Sequence, residues 1–139
     1  MERLEIQRQK GGRASLADVL RSISDDKSLS ILQLIRDVDS NGEISIKKLG
    51  LSRKQYYSRM AAMMATGLIK RRSGIYYLTP FGKVIYCCIM IIKGALKNYY
   101  NLKAVEYIEG SGLSKEDFSK FVDTLIDNLQ VKEFLAKKC

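Results

Sequence analysis

Arg53, Lys54, Gln55, Tyr57 and Ser58, with Arg59 at their flank, crowd into seven consecutive positions, and Lys70, Arg71 and Arg72 follow as three adjacent cations before Ser73. Guanidinium, ammonium and amide groups at this density do recognition chemistry, because they clamp phosphates and hydrogen-bond base edges. Covalent chemistry has much less to work with. The chain contains no histidine, which removes the commonest general base, the Ser-His and Cys-His nucleophile pairs and most zinc sites. No glycine-rich phosphate loop is present. The run from Asp37 to Gly42 has the D-x-D-x-N-G form of a calcium loop, but its twelfth position, where a glutamate is needed, is Lys48. Carboxylates fall mainly at helix starts and on amphipathic faces, where capping and solvation account for them. Neither an enzyme nor a bound cofactor or metal is expected.

Charge points the same way. The net charge is +9, and residues 41–85 carry nine cations, among them Lys47, Lys48 and Lys83, against the single acid Glu43. The C-terminal third, residues 101–139, balances six cations against seven acids. Positive charge focused on one stretch suits a polyanionic partner; the plainer alternative is a solvated basic face.

The elements that must hold these groups can be read from periodicity and caps. Ser52 caps a helix running to about Thr66, where Gly67 supplies a left-handed stop. Tyr56, Met60, Met63 and Met64 recur at the three-and-four spacing of a buried stripe, which turns the cations outward. Leu68-Ile69-Lys70 and Ile75 to Leu78 are β-prone runs separated by the polar turn Arg71-Arg72-Ser73-Gly74. Thr79-Pro80 opens the next helix.

Upstream, Ser15 and Asp18 form a capping box for a short helix with Leu16, Val19, Leu20 and Ile23 on one face. Ser24-Asp25-Asp26 caps a second helix to about Val38, with Leu29, Ile31, Leu32 and Ile35 facing in. Asp39 to Gly42 is a turn, Glu43-Ile44-Ser45 a short strand pairing with the hairpin, and Ser45 the cap of a brief helix, Ile46 to Leu49. Gly50-Leu51 then turns into the basic helix, and Ile46, Leu49 and Leu51 pin the two helices together. The order is that of a winged helix-turn-helix, mainly α with a small β-hairpin wing. Its recognition helix, about 52–66, belongs in a major groove and its basic wing, about 68–78, on the backbone or minor groove. The expected contacts are Lys47, Lys48, Ser52, Arg53, Lys54, Gln55, Tyr57, Ser58, Arg59, Lys70, Arg71, Arg72 and Ser73.

Residues 1–14 read as a mobile polar arm, 15–82 as the DNA-binding domain and 83–139 as a helical extension. The extension starts with a helix from Pro80 to about Tyr99, apolar on every side between Val84 and Ile92. Such a surface must be covered all round, and the short chain has little left to do it, so a homodimer built on the 80–99 helix and the C-terminal helices is expected. The apolar run is nine residues long, where a membrane span needs about 20. No apolar leader is visible, and a soluble, cytoplasmic protein is expected. Adjacent Cys87 and Cys88 read as small buried hydrophobes in a reducing compartment; no role attaches to Cys139. Asn98 to Asn101 loosens the chain before a short helix, Leu102 to Glu109, with Val105 and Ile108 facing in. Ser114 caps a helix carrying Phe118, Phe121, Val122, Leu125, Ile126 and Leu129 on one stripe. A kink is expected around Asn128, with Val131, Phe134 and Leu135 beyond it. These stripes serve core or dimer packing; the alternative is a ligand pocket lined by Tyr99, Tyr100, Tyr107 and Phe118.

Between Leu49 and Thr79, and more broadly over about residues 24–90, the pattern resembles the winged-helix transcriptional regulators of archaea and bacteria. The resemblance rests on Gly67-Leu68-Ile69, the basic wing, the Leu78-Thr79-Pro80-Phe81-Gly82 element and the run Leu51 to Met60, which looks most like small archaeal proteins, including thaumarchaeal ones. It implies sequence-specific duplex DNA binding by a dimer, with Arg53, Lys54, Gln55, Tyr57 and Arg59 at the groove and Arg71 and Arg72 on the wing. Two other uses stay open from the residues alone: a winged helix that binds a protein, and an RNA or architectural nucleic-acid binder whose Tyr57, Tyr76 and Tyr77 stack on bases. An uncharged or acidic head would favour the first, and this head is basic.

Overall fold

The computed structural model describes residues 13–38 and 46–136. Among them the chain is mainly helical with one small two-stranded antiparallel sheet, an α+β arrangement. Most of the 1–14 arm, the turn at 39–42, the strand at 43–45 with its cap Ser45, and Cys139 lie outside the described residues. The chain divides after Tyr86 into two compact units.

In the first unit, α1 (Leu16–Ser22) starts with the expected capping box: the Asp18 N–H donates to Ser15 Oγ at 3.1 Å and the Ser15 N–H to Asp18 Oδ2 at 3.0 Å. These bonds hold the Asp18 carboxyl below its ordinary pKa. Only part of its apolar face is covered. Val19 and Ile23 are buried, whereas Leu16 is 74% exposed and Leu20 is exposed too. The two pairs form adjoining lines on the helix, and α1 packs on α4.

Helix α2 (Asp26–Val38) is capped by Asp25, whose Oδ1 accepts from the Ser28 N–H at 2.7 Å. Ile31, Leu32 and Ile35 are buried and Leu29 is half-buried. That Ser28 bond, opposed by partial desolvation and assisted by Arg59, keeps the Asp25 carboxyl below its ordinary value of 3.8. A depressed folded pKa means that the contribution is complete above the unfolded value and is lost as pH falls through the folded one. Asp25→Ala is therefore expected to lower stability by about 0.5–2 kcal/mol at pH 7. In urea titrations the gap from the parent protein should shrink toward pH 3.

Helix α3 (Ile46–Leu49) leads through Gly50-Leu51 into α4 (Arg53–Ala65). Leu49 is buried and Leu51 half-buried. Lys27 of α2 donates from Nζ to the Leu49 carbonyl at 2.6 Å, satisfying a terminal acceptor of α3. On α4, Tyr56, Met60 and Met63 are buried, but Met64 is exposed. One residue of helix turns about 100°, so Met64 falls at the edge of the stripe rather than within it. Gly67 takes the left-handed φ of +81°, and the Leu68 N–H bonds back to the Met63 carbonyl at 3.0 Å.

Strands β1 (Ile69–Arg72) and β2 (Ile75–Leu78) pair Ile69 with Leu78, Lys70 with Tyr77, Arg71 with Tyr76 and Arg72 with Ile75. Arg71 and Arg72 are thus strand residues, and the turn is shorter than the four residues expected. Ser73 and Gly74 make it alone, at φ +53° and +80°. Two positive φ values in a two-residue loop match the twist of the paired strands. The hairpin packs on α2 through β2 and on α4 through β1.

Helix α5 (Pro80–Lys97) ends two residues before the expected Tyr99, and α6 (Tyr99–Glu109) resumes after Asn98, earlier than the Leu102 start read from sequence. Asn98 is buried, its Nδ2 donates to the Gly94 carbonyl at 2.9 Å, and its N–H is shared between Gly94 and Ala95. A side chain competing for the helical acceptors explains a one-residue break. Cys87 and Cys88 are exposed free thiols rather than buried ones. The buried residues of α5 are Gly82 and Tyr86, and the next two positions rotate away from that line. Val84, Met90, Ile92 and Leu96 are exposed as well, Leu96 by 67%.

In the second unit, α6 packs on α7 (Lys115–Leu125), and α8 (Leu129–Ala136) follows. Val105, Val122, Ile126 and Val131 form its core, with Leu102, Phe118, Leu125 and Leu135 around them. Ile108 is half-buried. Ser114 caps α7, accepting from the Asp117 N–H at 3.3 Å. Phe121 and Leu129, expected on the buried stripe, are exposed, as is Phe134. Phe121 lies at the stripe's edge. Leu129 belongs to a new helix, because Ile126 is extended and Asn128 Oδ1 caps α8 by accepting from the Val131 N–H at 3.1 Å. Tyr100 and Tyr107 are each 85% exposed, so they line no pocket with Tyr99 and Phe118. Among the described residues, no helix is long and apolar enough to cross a membrane.

Candidate nucleic-acid interface

The first turn of α4 is built by a reciprocal capping box. The Gln55 N–H donates to Ser52 Oγ at 3.2 Å and the Ser52 N–H donates to Gln55 Oε1 at 3.0 Å. A Ser-x-x-Gln spacing ahead of an apolar run carries that signal in sequence, although Gln55 reads at first sight only as a base-reading side chain. The box fixes the direction in which α4 leaves the turn. It also uses one of the two lone pairs of the Gln55 oxygen within the chain.

Arg53, Lys54, Gln55, Tyr57 and Ser58 are all exposed, as is the cap Ser52. Tyr57 is steadied from behind: buried Tyr56 meets it edge-to-face at 5.2 Å. Burial raises the pKa of the Tyr56 hydroxyl above its ordinary value. Arg59 behaves differently from its neighbours. It is half-buried, its Nη2 lies 3.3 Å from Asp25 Oδ2, and its Nη1 donates to the Gln55 carbonyl at 3.3 Å. It ties α4 to the cap of α2, a role that its place in the cationic cluster conceals.

Lys48 on α3 is exposed. Lys47 lies on the same helix, and its side chain is outside what is described. On the hairpin, Lys70, Arg71, Arg72 and Ser73 are exposed. Opposed residues share a face in an antiparallel pair, so Lys70 and Arg72 stand with Tyr77 and Ile75, and Arg71 stands on the other face with Ile69, Tyr76 and Leu78. Arg71 lies over the Tyr76 ring at 5.6 Å. Both tyrosines are half-buried, which leaves neither a full ring face for an unpaired base. Among the described residues, no ion pair involves Lys48, Arg53, Lys54, Lys70, Arg71 or Arg72. Their charge is directed at solvent.

The described residues hold no cluster of three or more metal-ligating side chains. Searches of family models, curated proteins and solved structures find no match to this chain.

Proposed function

We propose that the first unit is a winged helix-turn-helix and that the protein is a sequence-specific duplex DNA-binding transcriptional regulator of the small archaeal type. In this reading α3 and α4 are the helix pair, the start of α4 enters the major groove, and the β1–β2 hairpin is the wing. The observation that carries it is the set of exposed cations, Lys48, Arg53, Lys54, Lys70, Arg71 and Arg72, which have no internal counter-charge among the described residues. Uncompensated charge on a helix start and a hairpin is the electrostatic footprint of phosphate binding. The protein works without a cofactor and without catalysis, in the cytoplasm, as a homodimer through α5 and the C-terminal helices. Exposed Ile92 and Leu96, four positions apart and so neighbours on one helix face, support the dimer, since large apolar side chains grouped on a surface mark association sites.

Retention of a random duplex pool at two salt concentrations, followed by sequencing, tests the reading. An enriched palindromic motif is expected. Retention without enrichment would indicate an architectural binder, and no retention at low salt would turn the basic head toward an acidic protein. Light scattering at micromolar concentration should give twice the chain mass of 15.8 kDa; the single mass would overturn the dimer.

A further inference from the structure

We infer that the start of α2 is a bracket that sets the angle at which α4 meets the groove, with Asp25 and Lys27 as positioning residues that determine sequence preference without touching DNA. The inference rests on the proposed duplex binding and deepens it by naming what holds the reading helix in register.

Helices α3 and α4 are joined by Gly50-Leu51-Ser52, with Gly50 at a left-handed φ of +67°. The start of α2 grips each of the two separately. Lys27 Nζ donates to the Leu49 carbonyl at 2.6 Å, at the end of α3 immediately before that turn. Asp25 receives the Arg59 guanidinium at two points: Nε donates to Oδ1 at 3.4 Å, and Nη2 lies 3.3 Å from Oδ2. A two-point contact between planar groups fixes orientation as well as distance. Arg59 in turn donates from Nη1 to the Gln55 carbonyl at 3.3 Å, so the grip reaches the first turn of α4. Asp25 is itself held, because Oδ1 accepts from the N–H of buried Ser28 at 2.7 Å. Partly exposed ion pairs add little stability. These bonds instead tie both helices, 22 and 34 positions away in sequence, to one short stretch of backbone. Arg59 also lies beside the buried line of Tyr56, Met60 and Met63, whereas Lys54 and Ser58 lie opposite that line. Its place on α4 is therefore toward α2 and away from the groove-facing side.

Hydrogen bonds to base edges tolerate a displacement of only about 0.5 Å or roughly 10–20°. Long cationic side chains can follow a phosphate through such a shift, and phosphates carry no sequence information. A loosened bracket therefore costs preference before it costs affinity for duplex in general.

The test compares the parent, Asp25→Asn and Lys27→Met on the site selected from the random pool and on unrelated duplex, by fluorescence anisotropy at several salt concentrations. Asparagine is as good a helix cap as aspartate, so Asp25→Asn keeps the Ser28 bond and removes the ion pair. Lys27→Met removes the donor to Leu49. The ratio of the two affinities is insensitive to partial unfolding, which weakens binding to both duplexes alike. Each variant is expected to lower that ratio at least about fivefold, the lower end of the weight of one base contact, without flattening the salt dependence. Lys27→Arg, which restores a donor, should recover the ratio. An unchanged ratio in either variant would overturn the inference. So would a salt slope flattened by about 0.9 in Lys27→Met, since Lys27 would then be a phosphate contact. Parent retention without an enriched motif would overturn it while leaving duplex binding intact, because there would be no preference to set. Absence of retention at low salt would instead remove the duplex reading itself.

Discussion

Gly82→Ala is expected to destabilise the first unit by at least about 3 kcal/mol, at or beyond the upper end of the usual overpacking range. A Cβ at this position would stand 1.9 Å from the Leu68 carbonyl oxygen and 2.9 Å from its carbon. The obstacle is backbone, and it has no room to retreat. That carbonyl accepts the Thr79 N–H at 3.0 Å, and Thr79 Oγ1 lies 3.2 Å from it while also donating to the Gly67 carbonyl and accepting from the Gly82 N–H at 2.9 Å. Leu68 itself is fully buried. Relief would mean pulling α5 away from the base of the hairpin, breaking the helix cap and the closing bond together. Urea titration followed by circular dichroism should show the loss. A change of only about 1 kcal/mol, the size of an average substitution, or less would mean that α5 does not sit this close.

The same junction explains why much of the first unit is legible in sequence. Leu-Thr-Pro-x-Gly places a buried residue, a cap, a helix-starting proline and a side-chain-free contact at fixed spacing, and each member has one local job. Leu78 is buried, Thr79 caps α5, and Gly82 admits the Leu68 carbonyl. Ser15 with Asp18, Ser52 and Ser114 announce helix starts for the same reason: a cap needs only near neighbours. The misreadings fall where a distant partner decides. Leu16 and Leu20 have helical spacing, but where α1 packs on α4 it is Val19 and Ile23 that are buried, and these two stay exposed. Cys87 and Cys88 lie in an apolar run, yet the buried line of α5 passes through Gly82 and Tyr86. Asn98 looks like one of several polar residues in a loosening chain, and only its bond to Gly94 marks it as the break.

The candidate interface divides in the same manner. Its basic character and the exposure of Arg53, Lys54, Tyr57 and Ser58 follow from the stripe opposite them, since burying Tyr56, Met60 and Met63 turns the remaining positions outward. Composition alone does not distinguish a cation that faces solvent from one that holds the fold. Arg53 and Arg59 look equivalent in a list of charges, but Asp25, thirty-four positions before Arg59, makes the latter a clamp. Gln55 was within reach of a local rule, the capping box, that competes with its more conspicuous chemistry. The hairpin cations illustrate a third case: their number is visible in the sequence, and their division between two faces requires the register.

That division sets the larger of the binding predictions. Lys70 and Arg72 share the face with Tyr77 and Ile75, free of ion pairs among the described residues, whereas Arg71 stands over Tyr76 on the opposite face. Under the proposed reading each of the three neutralises a phosphate, two of them from one face. Lys70→Ala/Arg72→Ala should then flatten the dependence of log affinity on log salt by about 1.8, since each phosphate contact contributes about 0.9. Across the decade from 1 M to 0.1 M this becomes a loss of about sixtyfold at the lower concentration that fades toward the higher. Arg71→Ala alone should change the slope by about 0.9. Both effects should be the same on the selected site and on unrelated duplexes, because phosphates carry no sequence information. Fluorescence anisotropy titrations at four or five salt concentrations, on the two kinds of duplex, measure slope and preference together. An unchanged slope would take the hairpin off the backbone. A loss confined to the selected site would make the wing a reader of bases, and Tyr77, beside the two cations on that face, would become the side chain to examine next. The hairpin turn is formed by Ser73 and Gly74 and its buried base by Ile69 and Leu78, so the double variant keeps both, and an unchanged circular dichroism melt separates a lost phosphate contact from a lost wing.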